Sequence, residues 1–558
     1  MFSDPVVGGD FFGRQAILDL LVKRAKALRS GYRQNVAIIG HQQMGKTSIL
    51  RQFLHLHPDP ETLAMYVEIK LQALDYFVDQ FTRALLFQVL IQKEKVDSTE
   101  SLENLAAKAA PLIPKTVERI HEIAGLLKQR HAEEAYSKLF ALTSIVKEET
   151  GKNCIVILDE FHRLGEFGIR SAFSDFGKRI MVQKETMYVL ASSSFSASRK
   201  ILAEKLALLF GNFERIYLEP FDFGTSFDFI DKGLLPARIP RPLKYFLAAL
   251  TDGHPFFLRT VVSRVRELAA AKAEAEVSRQ TLAETLAQLL FESQGVLYQY
   301  FLTLISPWMR SDVRGSQILI LVELAKGKSR LKDIARAVNR GQKETSAQIK
   351  ELMEYELVVK TGVFYRFHNK IFKFWLKEVY EKKELSLLGT VGKREEFLSS
   401  MDEKFSEFET LLGMDPSDRL LSLFGSFQND LVEFGEKKRK LPHFTEILKT
   451  EPAANPVRGS AREIIARGHG RCWVCKVVEE KAGEKDVLSL VSGPKKSGTV
   501  PTRVFIALGG LDENAKLLAK EKKIFTLGLS RVNLLMDVYG QSPIMNTYRE
   551  CDEAKKLS

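Results

Sequence analysis

Residues 36–47 read Val-Ala-Ile-Ile-Gly-His-Gln-Gln-Met-Gly-Lys-Thr, and no other stretch constrains the fold of this chain so tightly. Four apolar residues, Val36 to Ile39, read as a buried parallel strand. The spacing G-x-x-x-x-G-K-T follows from Gly40 to Thr47, and Ser48, Ile49, Leu50, Phe53 and Leu54 then give a helical pattern. Strand, glycine loop and helix in that order is the context of a phosphate-binding loop. The glycines let the backbone wrap a phosphate chain, while loop N–H groups and the helix N-terminus face the anion. Gly40, His41, Gln42, Gln43, Met44, Gly45, Lys46, Thr47 and Ser48 are therefore the candidate cradle. Lys46 has the reach for the β- and γ-phosphates, and the Thr47 hydroxyl is a Mg²⁺ ligand. ATP with Mg²⁺ is the expected cofactor pair.

A second stretch supports the same chemistry. Residues 154–160, Cys-Ile-Val-Ile-Leu-Asp-Glu, form a hydrophobic strand ending in two acids. Asp159 sits where a carboxylate holds the metal's shell, and Glu160 where a base polarises the attacking water. Hydrolysis of a nucleoside triphosphate needs little more than phosphate positioning, a metal, a water-orienting group and a late positive charge.

The chain has 558 residues, more than one ordinary core accommodates. Hydrophobic residues make up 45% and charged residues 27%, the balance of a folded soluble protein. No apolar run has the length of a membrane-spanning helix, and no secretory signal is visible at the N-terminus, so a cytoplasmic location without membrane contact is expected. The four cysteines are irregularly spaced and do not suggest a disulfide framework. Cys472 and Cys475 form a lone C-x-x-C with only His469 nearby, short of the four ligands zinc usually takes. The net charge of +12 favours a nucleic-acid partner.

Strands alternating with helices predict a parallel α/β sheet. After the first strand these are residues 65–70, the acid-ending strand, Met187 to Ser192 and Arg215 to Glu219, with a helical insertion over about 76–150. Ligands in such sheets bind beyond the C-terminal strand ends, where both motifs lie. Residues 1–235 are thus read as the ATPase domain and 236–310 as a helical lid. Residues 311–380 read as three helices (Ile318 to Leu324, Leu331 to Val338, Glu344 to Tyr355) and a hairpin from Val358 to Phe367, the makings of a winged helix. Lys343, Ser346, Gln348 and Lys350 on the third helix suit phosphates and base edges. Residues 381–440 read as a charged helical bridge and 441–558 as a small α/β domain.

Phe12-Gly13-Arg14, the glycine loop, Leu158-Asp159-Glu160 and Gly253-His254-Pro255 recur in an order that resembles the prokaryotic, archaeal-type ATPase branch of the STAND class, kin to origin-recognition ATPases. The resemblance covers roughly residues 10–380. It implies that Gly13 and Arg14 lie near the adenine and that Ser193 is a polar sensor of the γ-phosphate. It also implies that Arg215 reaches a neighbouring subunit's nucleotide, and that His254 and Pro255 belong to a lid beside it. A homo-oligomer is the corresponding expectation. Tyr365-Arg366-Phe367-His368-Asn369 and Phe374-Trp375 keep the family's aromatics but lack its acid-proline pair.

The C-terminal unit resembles a restriction-endonuclease-like domain, which needs an Asp on one hairpin strand and Glu-x-Lys on the next to hold Mg²⁺. Lys476 matches, but Val474 occupies the Glu position, Ile464 or Ile465 the Asp position, and Glu463 is expected on the other face. A nuclease fold without nuclease chemistry follows. Three functions remain open: a nucleotide-switched binder of double-stranded DNA, an oligomerising protein-interaction scaffold, and an ATP-regulated nuclease.

Overall fold

The computed structural model describes residues 4–56, 59–93, 96–97, 99–205, 213–309, 315–384, 393–435, 437–450, 462–491 and 501–545. The chain divides into two compact units, Met1–Pro220 and Phe221–Ser558.

The first unit is a three-layer α/β fold. Its sheet holds β1 (Asn35–Ile39), β2 (Thr62–Glu68), β3 (Asn153–Asp159), β4 (Thr186–Ser192) and β5 (Phe213–Tyr217). The spatial order is β2-β3-β4-β1-β5, and every pairing is parallel. All of β1 and β4 is buried, as their continuous apolar sequences require of strands covered on both faces. Helices Gln15–Arg29 and Lys46–Leu56 cover one face, packing Leu18, Leu21, Ile49 and Phe53 against Val36, Ile38 and Val189. The other face carries the expected helical insertion, where Phe77, Phe81, Tyr136 and Phe140 pack on Ala37, Val156 and Leu190. Strands β2 and β5 each begin ahead of their expected positions, because alternation fixes a strand's faces more firmly than its ends.

Helix Phe223–Leu234, expected in the ATPase domain, turns Phe227, Ile230 and Leu234 into the core of the second unit. Three helices follow further on, Gly315–Ala325, Leu331–Ala337 and Gln342–Glu354, with the hairpin β6 (Val358–Thr361) and β7 (Phe364–Phe367). The hairpin tip is not open: Val363 N–H donates to Leu431 O at 2.9 Å. Gly362 has φ +70°, and a Cβ there would lie 1.9 Å from that same oxygen.

The expected helical bridge is helical only in part. Residues 431–440 form a hairpin of β8 (Leu431–Phe434) and β9 (Lys437–Lys440). Val432 and Phe434, with Leu420, Leu423 and Phe424 of the preceding helix, belong to the core of the C-terminal sheet. The C-terminal body therefore starts ahead of residue 441. Its sheet runs β10 (Glu446–Thr450), β11 (Arg462–Gly468), β12 (Arg471–Val478), β13 (Thr502–Ala507) and β14 (Phe525–Gly528) in spatial order. The first three are antiparallel and the last three parallel. Strand β10, absent from the sequence reading, is a short edge strand.

Candidate active site

The glycine loop leaves the C-terminal end of β1 and is tied to β4 by Gly40 N–H, which donates to Ser192 O at 3.2 Å. Only glycine fits at residue 40, since a Cβ would sit 2.8 Å from Leu218 Cβ. Gly45 has φ +89°, in the region that glycine enters without steric cost. Lys46 is 4% exposed, and its amine donates to Gly40 O at 2.9 Å and His41 O at 2.8 Å. The loop is thus wrapped around a buried cation, the charge an incoming phosphate requires. His41 stacks on Phe195, with ring centroids 5.8 Å apart, which fixes the loop's outer limb.

Asp159 ends β3 beside the loop and is 1% exposed. Its Oδ2 accepts from Thr47 Oγ1 at 2.7 Å and from Tyr66 Oη at 3.0 Å. The two residues expected to hold Mg²⁺ are therefore already in contact. The donor set fits a hard cation: a hydroxyl, a carboxylate and, in the same loop, the buried Gln43 Oε1, which has no hydrogen-bond partner among the described residues. Burial pushes the Asp159 carboxyl above its ordinary range; Thr47's hydrogen bond opposes this, and Glu160's charge adds to it.

A carboxyl raised in the folded state favours its protonated form. The ligand-free protein therefore loses stability as pH climbs above the ordinary Asp value of about 4. Asp159→Asn keeps an acceptor for Thr47 and Tyr66 and removes the buried charge. We expect a ligand-free melting temperature at pH 7 at or above the parent's, the difference closing as pH falls toward about 4. Mg²⁺-dependent turnover should be lost in the same variant. A lower melting temperature at pH 7 would show that the charge itself stabilises the site.

Glu160 follows in the left-handed region, with φ 57° and ψ 40°, strain that a non-glycine residue carries only where the surroundings impose it. Its Oε2 accepts from Ser193 N–H and Ser193 Oγ, both at 2.8 Å, and lies 3.4 Å from His162 Nδ1. His162 Nδ1 also lies 2.9 Å from Ser192 Oγ. Ser193, expected beside a γ-phosphate, here holds the carboxylate.

Gly13 and Arg14 both have positive φ, and Arg14 occupies the N-cap position of helix Gln15–Arg29. The Arg14 guanidinium donates to Glu219 O, which links this turn to the chain after β5. Arg215 is exposed on β5, the edge strand, in register with Ala37. His254 and Pro255 lie in the second unit, at the turn into helix Pro255–Ala271. Gly253 has φ +68° there, and its carbonyl accepts from Phe221 N–H at 2.9 Å. Sequence reasoning did not find Tyr66, His162 or Ser192. A tyrosine near the end of the strand beside the acid-ending one was the available signal for Tyr66. The curl that returns His162 to Ser192 left none.

The second unit revises two details. Glu463 is in register with Lys476 across β11 and β12, so it shares that face and does not lie on the opposite one. Ile465 stands opposite Val474 on the same face, whereas Ile464 is buried in the core. Lys476 is 7% exposed; its amine donates to Asp486 O at 3.2 Å and to Ser489 Oγ. Among the described residues no group of three or more His, Cys, Asp or Glu is placed to hold a metal. On helix Gln342–Glu354, Lys343 and Lys350 are exposed and Ser346 is half-buried. Gln348 donates to Ser316 Oγ at 2.7 Å and so is engaged within the fold.

A parallel five-stranded sheet with a phosphate loop and an acidic pair at its C-terminal strand ends defines a P-loop nucleoside triphosphatase fold. Within it, residues 10–174 match the family model described as AAA ATPase domain. The structure is similar to the Walker-type ATPase PABY2304 of Pyrococcus abyssi, at 16% identity and TM-score 0.47, covering 67% of this chain and 99% of that one. It is also similar to the ORC2 protein of Aeropyrum pernix in its ADPNP–ADP complexes, at 12% identity and TM-score 0.41, covering 73% and 98%. A third similar structure is the RuvB Holliday junction branch migration motor of Thermotoga maritima, at 15% identity and TM-score 0.34, covering 68% and 100%. No curated protein sequence matches. Among the described residues no helix is long and apolar enough to cross a membrane.

Proposed function

We propose that this chain is an ATP-binding, slowly hydrolysing switch whose second unit holds double-stranded DNA. The observation that carries the ATPase part is the 2.7 Å contact of Thr47 with Asp159, at the mouth of a loop closed around Lys46. Bound Mg²⁺ would supply charge neutralisation of the phosphates, held by Thr47 and Asp159. Lys46 binds the terminal phosphates, and Glu160 takes the proton of the attacking water. Slow turnover fits a Glu160 carboxylate that Ser193 holds with two hydrogen bonds, since these compete with the water.

The DNA part is supported by the net charge of +12, the three-helix and hairpin unit, and the exposed Lys343 and Lys350. Cleavage is not part of the reading. Apolar Ile465 and Val474 stand where metal-binding acids are needed, and the Lys476 amine is turned onto helix Glu484–Val491. One observation favours a protein-interaction scaffold instead: the β6–β7 tip is covered by Leu431, so it cannot enter a groove as it stands. Retention of labelled duplex DNA across a salt series, with and without ATP–Mg²⁺, separates the two. A DNA-holding switch shows salt-dependent binding that ATP alters; a scaffold shows neither.

Exposure of Arg215 on an edge strand supports the reading that it serves a neighbouring subunit. Turnover per chain should then rise with protein concentration. Arg215→Ala mixed with Lys46→Ala should recover part of the activity that each lacks alone, because one supplies an intact loop and the other the arginine. Concentration-independent turnover with no recovery on mixing would remove the role in trans.

A further inference from the structure

Residues 437–440, Lys-Lys-Arg-Lys, are the one run of four consecutive basic residues in the sequence, and the ATPase site gives them no role. They form β9, paired with β8 so that Phe434 faces Lys437 and Val432 faces Arg439. Val432 and Phe434 point into the core, and the Arg439 guanidinium lies 3.8 Å from the Phe525 ring centroid, anchoring the strand. Lys437, Lys438 and Lys440 are exposed. Lys438 meets Glu433 at 3.1 Å, a surface pair of small worth. Among the described residues no carboxylate pairs with Lys437 or Lys440.

The root of this hairpin is fixed. Asp430, just before β8, accepts from Arg330 Nη2 at 2.9 Å and from Tyr539 Oη at 2.7 Å. Leu431 then crosses the β6–β7 tip, as described above. The basic strand therefore stands beside a hairpin tip that is itself blocked.

We infer that the β8–β9 hairpin is a docking element for the phosphate backbone of duplex DNA, with Lys437, Lys438 and Lys440 as its contacts. Lys438 and Lys440 share the face opposite Val432 and Phe434, and Lys437 is exposed on the other face at the turn end of the strand. Cations over roughly 10 Å of strand suit a polyanion that carries one charge per about 1.7 Å of axis. A protein partner fits less well. Protein interfaces are depleted in lysine and need buried apolar or aromatic anchors, whereas this hairpin has turned its Val432 and Phe434 inward. Phosphate contacts carry no base information, so binding at the hairpin is independent of sequence.

The inference rests on the DNA-holding reading above. The test uses the full chain, a labelled random-sequence duplex, and binding measured across a salt series. Lys437→Ala/Lys438→Ala/Lys440→Ala, with Arg439 kept for its packing, should lower affinity about tenfold or more at low salt. It should also flatten the log–log salt slope by about 2–3, the loss of two to three phosphate contacts. The triple Lys→Arg variant should restore both, which excludes a folding defect. If the parent binds and the triple Ala variant keeps its affinity and slope, DNA sits elsewhere and the hairpin inference fails alone. A parent with no salt-dependent DNA binding overturns the DNA-holding reading and this inference with it. Binding of anionic phosphatidylserine vesicles in place of DNA, lost in the triple Ala variant, overturns the inference in favour of a lipid surface.

Discussion

Lys46→Ala should weaken ATP–Mg²⁺ binding about a hundredfold, measured by titration calorimetry on folded protein. The amine is buried inside the loop and held by the Gly40 and His41 carbonyls, so it needs little reorganisation to meet a phosphate. A hydrogen bond from a charged donor is worth about 1.5–3 kcal/mol, and a loss of about 2.7 kcal/mol is a hundredfold in affinity. The substitution also leaves two carbonyls without their donor, so a thermal melt must accompany the titration. Lys46→Met keeps most of the volume and separates loss of charge from loss of packing. If both variants fold and bind ATP like the parent, the loop is not a phosphate cradle.

Glu160→Gln should slow hydrolysis by about 10²–10⁴-fold, the usual contribution of a positioned base, while ATP affinity stays near the parent value. The amide oxygen can still accept from Ser193 N–H and Oγ, so the side chain keeps its place and loses only its basicity. Single-turnover kinetics with pre-bound ATP isolate the chemical step. Turnover at the parent rate would make Glu160 a structural residue that caps the end of β3. Because the variant traps the bound state, it is also the form in which an ATP effect on DNA retention should be largest.

The core of the first unit was legible in the sequence for a local reason. A phosphate loop and its flanking strand and helix lie within some twenty consecutive residues, and each part carries its own signature: apolar run, glycine spacing, Lys-Thr, amphipathic period. The acid-ending strand is equally local. Those two segments determined the parallel sheet, and with it the meeting of Thr47 and Asp159, residues 112 apart in the chain. The three helices and hairpin of the second unit also followed from period and turn residues.

What the sequence left open depended on register and on contacts between distant segments. Pairing of β11 with β12 decides that Glu463 shares a face with Lys476, since a slip of one residue reverses every side chain on a strand. Residues 431–440 read as charged helix because a strand of four residues is too short to show its period, and only burial of Val432 and Phe434 against the C-terminal sheet makes it one. The contact of Leu431 with Val363, the curl that returns His162 to Ser192, and the hold of Ser193 on Glu160 all join residues more than twenty-five positions apart. The sequence by itself determined the glycine loop, its flanking strand and helix, and the acid-ending strand. The tertiary structure decided that Ser193 holds Glu160 and that Lys438 and Lys440 are left exposed, because packing, and no local propensity, sets those distances.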